Sequence, residues 1–93
     1  MSLVVRAQGG SIVVPDPVLL QIASRAAESV EGVRVRRRRT IDVEERSVRL
    51  GLTARRGEQL VGQAERVQAA VADALETMCG LELTVDVAIE ELA

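Results

Sequence analysis

Three features of this chain could do chemistry: a single cysteine, two pairs of adjacent carboxylates and a run of arginines. Cys79 is the only cysteine, so no intramolecular disulfide can form. The chain has no histidine, which leaves a nucleophilic thiol without its usual base. Neither a Ser-His-Asp arrangement nor a zinc site of the common Cys/His type can be assembled. Cys79 directly follows Met78 at the end of an apolar helical pattern, where a thiol packs as a small hydrophobe. The acid pairs Glu44-Glu45 and Glu90-Glu91 stand in turn-like or terminal positions, where such pairs are solvated charge. The expectation is therefore no catalytic residue, cofactor, metal or small-molecule substrate, and no enzyme.

Arg36, Arg37, Arg38 and Arg39 form the sharpest local feature, with Arg34, Arg49, Arg55 and Arg56 nearby. Two readings stand side by side. In one, these guanidiniums form an anion or partner patch for RNA, DNA or acidic headgroups. In the other, they solvate a hairpin, pair with Asp42, Glu44 and Glu45, and keep an edge strand from pairing with other chains. Charge is unevenly distributed: residues 1–66 carry all twelve bases and eight acids (+4), and residues 67–93 carry six acids and no base (−6). Nucleic-acid binding draws support from a helix–hairpin–helix–strand layout like that of KH-type RNA modules. Against it, the chain has no aromatic ring for a base to stack on. No glycine-x-x-glycine loop joins the helices either, since Gly57 and Gly62 are too far apart.

The elements that must position these residues follow from periodicity. From Glu58, apolar Leu60, Val61, Ala64, Val67, Val71, Ala74, Leu75 and Met78 recur at steps of three and four, predicting a long amphipathic helix. Gly80 supplies its stop. Leu81, Leu83, Val85, Val87 and Ile89 then alternate with Glu82, Thr84, Asp86, Ala88 and Glu90, the pattern of a half-buried strand. Upstream, Pro15-Asp16-Pro17 predicts a helix entrance, with Asp16 as cap and Pro17 at the first helical position. Its inward set is Val18, Leu19, Ile22, Ala23, Ala26, Ala27 and Val30, with Gln21, Ser24, Arg25, Glu28 and Glu31 largely opposite, and Gly32 ends it.

Between the helices, Val33 and Val35 begin a strand that Ile41 and Val43 resume on the same parity. An unbroken strand would aim Arg37 and Arg39 at the core, so a bulge or break is predicted there. Glu44 to Arg46 make the turn, and Ser47 to Ala54 pair back antiparallel, with Val48, Leu50, Leu52 and Ala54 inward. The long helix then crosses over to the last strand, which lies parallel to the second. Residues 1–14 are apolar at Leu3 to Val5 and Ile12 to Val14, with a Gly9-Gly10 turn and a short N-terminal strand at most. The whole is a single α/β (α+β two-layer) domain over residues 1–93, core about 12–90. Its order is helix–strand–strand–helix–strand, with two helices on one face of a small mixed sheet.

Ninety-three residues with 47% apolar and no aromatic content must be packed by Val, Leu, Ile and Ala alone. No apolar run is long enough to span a membrane. Met1 to Val5 lack the basic start and extended apolar core of a secretion signal, so a cytoplasmic location is expected.

The outer face of the long helix offers a second candidate surface: Gly62, Gln63, Arg66, Ala69, Ala70 and Asp73 are small or weakly polar. Small residues let helices approach closely, which suits self-association or contact with a sister protein. The plainer reading is that alanine is a good exposed helix former.

An ordered set of short matches resembles the bacterial alkaline shock protein family, small domains tied to the envelope stress response. It comprises Ile22-Ala23 through Ala26-Ala27, Val30-Glu31-Gly32-Val33, Val48-Arg49-Leu50, Gly57, Val67-Gln68, Val71, Leu75-Glu76-Thr77-Met78, Gly80-Leu81 and Val85-Asp86-Val87. These span roughly residues 12–90. Family members often have an aromatic-glycine pair where this chain has Arg56-Gly57, threonine at the place of Cys79, asparagine at that of Asp86, and an insertion after the first helix. The resemblance implies a non-enzymatic interaction or scaffold component, abundant in the cytoplasm, a homo-oligomer or bound to a family member. It also implies indirect membrane association, through an anchored family partner.

Overall fold

The computed structural model describes residues 2–7, 10–55 and 60–92. Seven elements follow in order: β1 (Ser2–Ala7), β2 (Gly10–Pro15), α1 (Asp16–Glu28), β3 (Val33–Asp42), β4 (Ser47–Arg55), α2 (Leu60–Cys79) and β5 (Thr84–Leu92). β3, β4 and β5 form a mixed sheet in that order, β3–β4 antiparallel and β4–β5 parallel, the arrangement expected of a hairpin followed by a helical crossover. β1 and β2 form a separate antiparallel pair, where the sequence suggested one short strand at most.

Both helices lie on one face of the three-stranded sheet. Leu19, Ala23 and Ala27 of α1 and Val67, Val71 and Leu75 of α2 meet Val33, Val48, Leu50, Leu52 and Val85 in one buried cluster. Alternation along β4 sends Val48, Leu50, Leu52 and Ala54 inward and leaves Arg49 exposed, as a period of two requires. With no aromatic side chain to fill space, alanines at α1 positions 23 and 27 let the helix approach the sheet closely.

Helix ends differ in detail from the sequence expectation. α1 starts at Asp16 behind Pro15, so Asp16 stands in the first turn, where its charge favours the helix N-terminus, and does not act as the cap. α1 stops at Glu28. The Ser29 hydroxyl donates to the Ala26 carbonyl at 2.5 Å, and Gly32, with φ +82°, turns the chain into β3. α2 ends as predicted: Gly80 adopts φ +65° and its N–H donates to the Glu76 carbonyl at 2.8 Å.

The predicted irregularity in β3 is present. Val35 pairs with Leu52 but Arg39 pairs with Leu50, so four steps along β3 match two along β4. Slipping by two residues keeps Ile41 opposite Val48, on the apolar side.

Candidate functional site

The arginines of the hairpin are shared between two faces of the sheet. On the face away from the helices, Arg36 of β3 reaches across β4 to a carboxylate oxygen of Glu90 on β5. Two registers away, Arg49 of β4 lies 3.7 Å from the Asp86 carboxylate of β5. Between them Gly51 and Ala88 pair, and their small size leaves a shallow depression of about 560 Å³. Arg34 is exposed and pairs in register with Thr53.

Arg39 behaves differently. Its register partner, Leu50, is core, so it faces the helix layer. At the sheet edge it stays exposed and donates from Nη1 to the Ser24 hydroxyl of α1 at 2.8 Å. The bulge therefore did not turn Arg39 outward; a hydroxyl on α1 satisfies it instead. Ser24 itself is buried, 6% exposed, contrary to its expected outward position.

For Arg36 and Arg49 the acidic partners are not the turn acids Asp42, Glu44 and Glu45. Asp42 accepts the N–H of Glu45 at 3.1 Å and so closes the turn. The acids that meet Arg36 and Arg49 come from β5, fifty-four and thirty-seven positions along the chain (90 − 36 and 86 − 49). Among the described side chains, then, the predicted patch is not one assembled cation cluster. Each of Arg36, Arg39 and Arg49 has a specific neighbour. The side chains of Arg37, Arg38 and Arg55, and all of Arg56, lie outside the described residues.

The candidate association face on α2 is only partly a surface. Arg66, Ala69 and Asp73 are exposed, and Gly62 and Ala70 half-buried. Gln63 is not on it: it is 1% exposed, and its Nε2 donates to the Glu31 carbonyl at 3.2 Å while its Oε1 has no hydrogen-bond partner among the described residues. The stripe is rotated towards Gln63, which explains why Val61, counted as inward, is 75% exposed. Gln68 is exposed, and its Nε2 donates to the Val85 carbonyl at 3.0 Å.

The outer seam between the helices carries a surface the sequence reading missed. Gln21, Ile22, Arg25 and Ala26 of α1 and Ala74 and Met78 of α2 line a groove of about 360 Å³. Met78 is 67% exposed and Val18 of α1 is 41% exposed. Both had been counted as core from the 3.6 period. Met78 stands at the seam itself, beside Gln21, Ile22 and Arg25 of α1, and is not covered by them. The 3.6 period carries no signal for this, because it places Met78 with the buried Val71 and Leu75.

Cys79 is half-buried against the core, and burial pushes its thiol above the ordinary cysteine range. That is the behaviour of a packing residue. Among the described residues no three metal-ligating side chains cluster, and no helix is long and apolar enough to cross a membrane. Comparison with protein-family models, curated proteins and solved structures finds no match for this chain.

Proposed function

We propose that this chain is a non-enzymatic protein–protein interaction component of the bacterial cell-envelope stress response, self-associating and brought to the membrane by an anchored family partner. The observation that carries the interaction reading is the apolar groove between α1 and α2, lined by Ile22, Ala26, Ala74 and an exposed Met78. A thioether exposed over most of its surface beside small apolar residues is adaptable contact surface. Arg25 and Gln21 at its rim suit a partner helix with an apolar stripe and an acidic flank. The envelope role rests on the resemblance to the alkaline shock protein family alone.

Co-purification from native cells tests this, using the wild-type chain and Met78→Glu. Because Met78 is largely exposed, the substitution leaves the fold intact. An anchored relative should co-purify with wild type and drop at least about tenfold with Met78→Glu, since a charge enters an apolar contact. Equal recovery with both would sink the groove as the interface. Recovery of RNA instead would establish the arginine-mediated nucleic-acid reading.

A further inference from the structure

We infer that β1 of one molecule adds as a fourth strand to the free edge of β5 in a second copy. The inference rests on the self-association proposed above and names the surface that carries it.

The sheet has two edges, and they are treated differently. β3 is interrupted by its two-residue slip and bears exposed arginines, both devices that discourage pairing. β5 pairs with β4 without interruption from Thr84 to Leu92. Its main-chain parity can be read from two contacts. The Thr84 N–H donates to the Arg46 carbonyl at 2.8 Å, so even-numbered residues turn towards β4. The Val85 carbonyl takes the Gln68 amide, so odd-numbered residues turn away from β4. Gln68 thus closes one position of the edge. Among the described residues, no side chain takes up the main chain of Val87 or Ile89, which remain a template for a strand.

The β1–β2 pair has the complementary need. Six residues a side is a hairpin that is marginal in water without a third strand. Among the described residues no third strand joins it. The long axis of the chain is 50 Å against 20 and 18 Å for the others. A 20-residue α2 accounts for about 30 Å of that, and a six-residue hairpin for the remaining roughly 20 Å. The hairpin therefore projects beyond the body, with α1 as its principal neighbour. Each strand of the pair has one free side; β2 runs directly into α1 and packs against it, so the side on β1 is the less encumbered of the two. Charge agrees in sign: residues 1–15 hold Arg6 and no acid, and residues 84–92 hold no base and three acids, of which Asp86 and Glu90 already face Arg49 and Arg36 and Glu91 is the third.

Light scattering and amide exchange on the full chain test this with two variants. Val4→Pro removes a β1 N–H, and Arg6→Glu reverses the charge of the arm. Wild type should run as a dimer or larger, with Val87 and Ile89 amides protected. Val4→Pro should run as a monomer whose Val87 and Ile89 amides exchange at least about tenfold faster, while those of β4 stay slow. Arg6→Glu should weaken association about threefold to tenfold. Monomeric wild type would overturn both this inference and self-association. Association that survives both variants with Val87 and Ile89 still protected would overturn the β1–β5 contact and leave self-association standing.

Discussion

Replacing Gln63 by leucine should stabilise the fold by about 1 kcal/mol, an unusual direction for a core substitution. Gln63 is among the largest fully buried side chains, and its Oε1 has no partner among the described residues. An orphan acceptor of this kind costs about 1–3 kcal/mol, which leucine of similar volume removes. The loss is one bond, from Nε2 to the Glu31 carbonyl, worth about 0.5–1.5 kcal/mol. The balance favours leucine. Urea unfolding should show a higher midpoint with an unchanged slope, and heating a melting temperature about 4–8 °C higher. Gln63→Ala, which also empties the site, should fall below wild type. Destabilisation of more than about 1 kcal/mol by leucine would mean that Oε1 is satisfied, and the reasoning would be wrong.

Two further outcomes follow from local geometry. Gly80→Ala should cost about 1 kcal/mol in urea midpoint measurements: a Cβ there meets nothing within 4 Å, so only the left-handed φ of +65° opposes it. A loss of several kcal/mol would reveal a clash that the open space does not contain. Cys79 should alkylate slowly at neutral pH, because raising its pKa leaves less thiolate there. Its rate with iodoacetamide should climb about tenfold per pH unit through the ordinary thiol range, and a plateau near neutrality would contradict that.

The elements and their order were legible because each is written in a short-range pattern. Alternation through Val48, Leu50 and Leu52 gives β4, and the parity of Val33, Val35 and Ile41 demands a slip somewhere among the arginines. Side-chain partners were not legible, because they depend on which strand lies across β4. Glu90 and Asp86 became neighbours of Arg36 and Arg49 only through the parallel crossover. The faces of α2 were misjudged for a related reason. Hydropathy assigns Gln63 outward and Met78 inward, whereas the buried stripe of α2 runs through Gln63, Val67, Val71 and Leu75 and leaves Met78 exposed. Ser24 is a third case, a polar residue on the covered side of α1 whose hydroxyl accepts from Arg39.

The slip in β3 also sets how this hairpin can change length. Four β3 steps are spent against two in β4, and both numbers are even, so Ile41 returns to the side that Val35 left. A chain gaining or losing two residues among Arg36, Arg37 and Arg38 would keep that return. One gaining or losing a single residue would present Arg39 outward and Ile41 to solvent. The arginine run is therefore a joint that tolerates paired insertions and deletions, and sequences drifting from this one are expected to vary there by twos.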